Sequence, residues 1–190
     1  MKREAVTGVV LAAGFSRRMG EFKPTLPING KPLLHHPVET LLSVCTQVVV
    51  VTGHNREQVE ELMLPFPTVA LVYNPDFETG MFSSVKAGAM AVQTPRFFLT
   101  PGDIPFFSQT TCEQLLSHQG EVVSPVFNNR KGHPVLLDET VRQGIISAAG
   151  SEILRDILPR YSTVLVNTAD EGILVDIDTQ TAYNRLKDQT

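Results

Sequence analysis

VLAAGFSRRMGEFK, residues 10–23, closes an apolar strand-like run that begins at Val6, then turns through Gly14 and Gly20. Between and beyond those glycines it carries Ser16, Arg17, Arg18 and Lys23. Glycine lets the backbone come close to a ligand, while exposed N–H groups, two guanidinium groups and an ammonium all favour a polyanion. A solvated basic turn between two elements would use the same residues. Two familiar phosphate loops are excluded by spacing: there is no G-x-x-x-x-G-K-[ST] and no G-x-G-x-x-G.

Working outward, the apolar positions Leu34, Val38, Leu41, Leu42 and Cys45 recur at helical spacing, with Pro37 tolerable only in a first turn. The unbroken run QVVVVT, Gln47 to Thr52, is of the kind buried on both faces of a sheet. Gly53 to Asn55 starts a helix that runs to about Leu64, and a strand from Val69 to Tyr73 follows. In NPDFETGMFSSVKAGAMAV the residues Phe82, Val85, Ala89 and Val92 share one helical face, which places Gly80 at a helix N-terminus and Ser83 and Ser84 in its first turn. RFFLT, Arg96 to Thr100, is a further strand that ends in PGDIP. There Asp103 stands where open α/β sheets bind ligands and could hold Mg²⁺ between phosphates, although Pro-Gly-Asp is also an ordinary turn.

Past a helix at Gln109 to Ser117, the segments Glu121 to Val126 and Val135 to Leu137 read as strands joined through Asn128-Asn129 and Gly132. They form a small hairpin annex around 122–137 on a single domain spanning 1–190. Ser151 to Leu158 reads as a short helix, Ser162 to Val166 and Ile173 to Val175 as late strands, and Thr179 opens a final helix. The alternation of strand and helix predicts an α/β fold with a mostly parallel mixed sheet and helices on both faces.

The chain has 190 residues, 42% of them hydrophobic, enough for one substantial core. Its net charge of −4 argues against a general nucleic-acid or membrane-surface binder. Against that background Arg17, Arg18, Lys23 and Lys31 are a local basic cluster. The two cysteines, Cys45 and Cys112, lack paired spacing and read as small buried hydrophobes in a reduced chain. With no extended apolar run, the expected location is cytoplasmic. His35, His36, His54 and His118 show no metal-ligand spacing and read as surface or capping residues; Asp156, Asp170 and Glu171 read as solvated charges.

Taken together, LAAGFSRRMG…K, NPDFETGMFSSV, PGDIP, RKGHPVLL and VDIDT resemble the molybdopterin nucleotidyltransferase family, and within it the molybdenum cofactor cytidylyltransferase branch. The match runs in order from about Val6 to Leu186. The resemblance implies a Rossmann-like three-layer nucleotide-diphospho-sugar transferase fold, CTP and Mg²⁺ as nucleotide and metal, and molybdopterin as acceptor. It implies that Leu11, Ala12, Ala13 and Gly14 contact the nucleotide through their backbone and that Arg18 and Lys23 hold its phosphates. Asn74, Gly80 and Ser84 match the part of the pattern near base and ribose, Asp103 the metal-binding aspartate, and Asp178 the second metal position, with Asp176 the near alternative. His133, with Arg130 and Lys131, is the candidate for the pterin side, and an ordinary hairpin turn would also account for it. The second Ala of LAAG leans toward CTP over GTP. A non-catalytic carrier that serves a molybdenum hydroxylase apoenzyme is the reading from another class.

Overall fold

A computed structural model describes residues 5–16, 19–150 and 152–187. In chain order its elements are β1 (Val6–Leu11), β2 (Pro27–Ile28), β3 (Lys31–Pro32), α1 (His35–Val44), β4 (Gln47–Thr52), α2 (Arg56–Met63), β5 (Val69–Tyr73), α3 (Met81–Ala91), β6 (Arg96–Pro101) and α4 (Gln109–Leu116). There follow β7 (Val122–Phe127), β8 (Arg130–Lys131), β9 (Val135–Asp138), α5 (Glu139–Ser147), α6 (Leu154–Ile157), β10 (Thr163–Asn167) and α7 (Gln180–Lys187).

The main sheet runs β10-β7-β9-β6-β1-β4-β5, with β8 paired to β7. Its β6, β1, β4 and β5 are parallel neighbours, and β10 is parallel to β7. Strand β9 lies antiparallel between β6 and β7. The sheet is therefore mixed and mostly parallel, as the alternation of elements predicted.

The continuous apolar strands are buried on both sides because successive side chains point to opposite faces. Val10, Val48, Val50, Phe98 and Leu136 pack into one core with Val38 and Leu41 of α1 and Leu115 of α4. Val9, Val49, Val51, Phe97 and Leu137 pack into a second with Val85 of α3 and Ile145 of α5. Helix, sheet and helix make three layers, the architecture that the composition of β1 and β4 demanded.

Three sequence readings change. The segment expected as an annex around 122–137 supplies three strands of the main sheet: β7 and β9 lie in its strand order, and the short β8 pairs with β7 beside it. The late strand expected at Ile173–Val175 is instead a 3₁₀ turn over Glu171–Leu174. Asp170 accepts from the Gly172 N–H at 3.0 Å there, and this local side-chain bond overrides the β-propensity of the Ile-Leu-Val run. Asp170 is thus no solvated charge: it also accepts from the Ser108 N–H at 2.7 Å and the Thr111 hydroxyl at 2.6 Å, tying the late segment to the start of α4. No helix among the described residues is long and apolar enough to cross a membrane.

Candidate nucleotide and metal site

The C-terminal ends of β1, β4, β5 and β6 meet along one edge of the sheet, where open α/β folds place ligands. Backbone bonds continue beyond the strands: Ala12 N–H donates to Val51, Gly102 N–H to Leu11 and Asn74 N–H to Thr52, each at 2.9 Å. These bonds fix the first loop, the Asn74 corner and the PGD turn relative to one another.

Together they border a cavity of about 460 Å³. Leu11, Ala12, Ala13, Gly14, Lys23, Gly80, Ser84, Asp103 and Asp178 all line it. Nine of the residues singled out in the sequence, separated by up to 167 positions, therefore share one cleft.

The polar centre is Lys23. Its ammonium donates to Asp103 at 2.9 Å and to Asp178, and its side chain is only 12% exposed. Burial by itself lowers the pKa of this ammonium, but hydrogen bonds and charge from Asp178 and Asp103 outweigh it and hold the pKa above the usual lysine value. The Lys23 N–H donates to Ser16 Oγ at 3.0 Å, which fixes the loop beneath the charge.

Asp103, Asp176 and Asp178 bring one carboxylate oxygen each to within 4.8 Å of one another. Three carboxylates suit a hard divalent cation of the Mg²⁺ or Mn²⁺ type, which takes oxygen ligands and bridges to phosphate. Both members of the Asp176/Asp178 pair thus stand in the cluster, so the choice left open in the sequence is not forced.

Gly80, with φ of +121°, stands immediately before α3 and leaves the cavity side of that helix start open. Asn74 is buried and does not line the cavity: its Nδ2 donates to Ser83 Oγ at 2.8 Å and Ser84 Oγ at 3.0 Å, and its Oδ1 accepts from the Asp76 N–H at 3.0 Å. It orients the first turn of α3 from behind. Arg18 lies outside the described residues.

The pterin-side candidates sit apart from the cavity wall. Arg130 and Lys131 are exposed on β8, at the hairpin tip. His133 follows them; its ring is 3.5 Å from the Leu99 carbonyl, and burial pushes its pKa below the usual histidine value, with the Leu99 carbonyl and the Asp103 charge opposing. His35 and His36 bond to the Leu62 and Ile28 carbonyls at 2.8 and 3.0 Å, in keeping with structural roles.

Several cavity residues were not singled out in the sequence: Phe15, Phe77, Glu78 and Met81. Phe15 and Phe77 contact each other with ring centroids 5.3 Å apart and both contact His54. Phe15 was within reach of sequence reasoning, since it follows Gly14 directly; Phe77 comes to it only through tertiary packing.

A three-layer α/β scaffold whose strand ends converge on a lysine held between carboxylates defines the Rossmann-like nucleotidyltransferase class. Comparison with known proteins agrees. The model of the MobA-like NTP transferase domain matches residues 8–164, and the chain belongs to that family.

Among curated relatives, it is 28% identical over 186 residues to the molybdenum cofactor cytidylyltransferase of Escherichia coli (strain K12), covering 97% of each chain. It is 34% identical to the nicotine blue oxidoreductase of Paenarthrobacter nicotinovorans, covering 95% of this chain and 96% of that one. It is 29% identical to a molybdenum cofactor guanylyltransferase of Xanthomonas euvesicatoria pv. vesicatoria, covering 95% and 93%. Among solved structures, a nucleotidyl transferase from Methanothermobacter thermautotrophicus superposes with a TM-score of 0.85 at 24% identity, covering 97% of each chain. A manganese complex of a Mycobacterium tuberculosis H37Rv protein superposes with a TM-score of 0.80 at 21% identity, covering 98% of this chain and 100% of that one.

Proposed function

We propose that the chain transfers CMP from CTP to the terminal phosphate of molybdopterin, forming molybdopterin cytosine dinucleotide and pyrophosphate. The observation that carries this reading is the Lys23 ammonium, held between Asp103 and Asp178 in the same cleft as the Leu11–Gly14 backbone. In the transfer, an acceptor phosphate oxygen attacks the α-phosphorus as the bond to pyrophosphate breaks. No protein nucleophile is needed, so the site must position the two phosphates and neutralise the charge that grows on the leaving group.

Leu11, Ala12, Ala13 and Gly14 hold the nucleotide through their backbone, Lys23 and Arg18 meet its phosphates, and Gly80 and Ser84 border base and ribose with Asn74 behind them. Asp103 and Asp178 hold Mg²⁺, with Asp176 beside them; the metal, when bound, supplies Lewis-acid neutralisation of the phosphates. His133, Arg130 and Lys131 serve the acceptor side. The proposed location is the cytoplasm and the proposed recipient of the product is a molybdenum hydroxylase apoenzyme.

Support for CTP comes from the second alanine of LAAG, Ala13, and from the full-length likeness to a cytidylyltransferase. A guanylyltransferase relative at similar identity makes GTP the second reading. Pyrophosphate release measured with each of the four nucleoside triphosphates, with and without molybdopterin, separates them. Release that requires CTP and molybdopterin is expected. Release with GTP alone among the four moves the assignment to guanylyl transfer, and molybdopterin binding with no release from any of the four favours the carrier. The same assay would expose a chain that kept the scaffold and changed its chemistry, a distinction that the oxidoreductase relative makes worth drawing.

Asp103→Asn should raise the Mg²⁺ concentration for half-maximal turnover by about tenfold or more, because an amide is a poorer ligand than a carboxylate for a hard cation. An unchanged Mg²⁺ dependence would remove Asp103 from the metal site.

A further inference from the structure

The segment that carries Asp176 and Asp178 is tied down at the residue between them. Ile177 is fully buried, and its N–H donates to the Asp103 carbonyl at 3.0 Å. Backbone thus joins the third carboxylate of the cluster to the midpoint of the other two. Exposure alternates along Asp176, Ile177 and Asp178, so anchoring the isoleucine leaves both aspartates toward the more open side.

The Ile177 side chain enters a small cluster separate from the two main cores, with Met19, Leu26, Ile28, Leu33 and Tyr183. Four of those residues belong to the stretch that surrounds Lys23. Tyr183, on α7, is 4% exposed, and its hydroxyl donates to the Pro27 carbonyl at 2.6 Å. One end of this cluster therefore fixes the arm that bears Asp176 and Asp178, and the other fixes the turn that follows the Lys23 loop. A metal–triphosphate grip assembled from residues 80 and 155 positions from Lys23 requires such registration, because ligand positions must hold to a fraction of an ångström.

We infer that Ile177 and Tyr183 are positioning residues that hold the Asp176–Asp178 arm in register with Asp103 and Lys23. The inference rests on the metal-site reading above. Neither side chain touches the cavity. They act through the backbone of the ligands, much as the partners of metal ligands set affinity in other sites.

An ordinary core residue predicts a different result: truncation would lower stability and leave metal affinity alone. Ile145, fully buried in the core on the other face of the sheet, supplies that control. The experiment measures Mn²⁺ binding alone, by electron paramagnetic resonance of the free ion, beside thermal unfolding of the full chain. Ile177→Ala should weaken Mn²⁺ binding by about tenfold or more, the scale for loss of a ligand's supporting contact. Ile177→Val, which keeps most of the packing, should restore it to within about threefold of the unsubstituted chain. Ile145→Ala should lower the melting temperature with unchanged Mn²⁺ affinity.

Equal Mn²⁺ affinity in Ile177→Ala and Ile145→Ala overturns the inference. Should Ile177→Ala fail to fold, Tyr183→Phe carries the test, since it keeps the ring and removes only the hydroxyl. It should weaken Mn²⁺ binding by about threefold, and unchanged affinity there overturns the inference equally. Asp103→Asn separates the two layers of the argument. If it binds Mn²⁺ like the unsubstituted chain, the metal-site reading fails and takes this inference with it; if Asp103→Asn loses binding while Ile177→Ala and Tyr183→Phe do not, only the positioning role fails.

Discussion

The first loop and the late arm both line the same cleft, but they are held by different means. Leu11 to Gly14 runs from the end of β1 along the cleft, and a Cβ built on Gly14 would meet nothing within 4 Å. The arm from Asp170 to Asp178 is threaded through the fold: a Cβ on Gly172 would lie 2.1 Å from the Phe106 carbonyl oxygen. Asp170 anchors one end with three hydrogen bonds, and Ile177 anchors the other through Asp103. Glycine in the loop keeps space for a ligand, whereas glycine in the arm admits the protein's own backbone. The contrast teaches that a site can be half open scaffold and half packed core, and that substitutions in the two halves should fail in different assays.

The largest effect is expected where the halves touch. Lys23→Ala should lower turnover about a hundredfold or more, on the scale of losing one donor to transition-state charge, read as pyrophosphate release. The same variant should bind Mn²⁺ alone more tightly, because its ammonium no longer competes for Asp103 and Asp178. Near-normal turnover would remove Lys23 from the chemistry and break the link between the loop and the arm.

The glycines sharpen the comparison next. Gly172→Ala should destabilise the fold by about 1–3 kcal/mol in urea unfolding, the usual cost of forcing an extra methyl into packed surroundings. Gly14→Ala should leave stability within about 0.5 kcal/mol while raising the KM for the nucleotide. If Gly14→Ala destabilised the chain and Gly172→Ala did not, the loop and the arm would have exchanged roles.

Asp170→Ala removes the cap on the Glu171–Leu174 turn and its tie to the start of α4, and should cost about 1–2 kcal/mol, with Ser108 N–H and Gly172 N–H left without their acceptor. A loss below measurement would return Asp170 to the solvated charge that its sequence context suggested.

The smallest effect is pH dependence. Burial holds the His133 pKa in the folded chain below the ordinary value of about 6.5. As pH falls through that value, the unfolded chain takes a proton that the folded chain resists, so stability declines toward acid and is unaffected well above it. His133→Gln should flatten part of that decline in unfolding free energy between about pH 7 and pH 5; His36, shifted the same way by burial, accounts for a further part. An unaltered profile would mean that the hairpin side of the cleft admits water to His133.

How much of this was legible in the chain differs between the same two regions. The loop could be read locally as a candidate phosphate binder, because a strand, a glycine turn and a lysine fall within 14 residues, and the family resemblance then decided against a solvated basic turn. PGD after RFFLT was equally readable, since strand-end carboxylates fall where the sheet presents ligands. The arm was not. Ile173 to Val175 has strand propensity, but a side-chain cap and a backbone contact at Gly172 turn it into a 3₁₀ segment. Nor did spacing show that Val122–Phe127 and Val135–Asp138 enter the main sheet as neighbours between β10 and β6, for such pairing partners are chosen by tertiary packing.

The chain by itself determined the layered α/β architecture, the basic loop and a carboxylate, Asp103, at a strand end, because periodicity and turn chemistry are properties of neighbours; Asp176 and Asp178 stood out only through the resemblance of VDIDT to a known family. Only the tertiary structure decided that Asp103, Asp176 and Asp178 share a point with Lys23, and that Ile177 and Tyr183 bind arm to loop. Contacts across 155 positions depend on which buried surfaces fit together, and no local pattern encodes that fit.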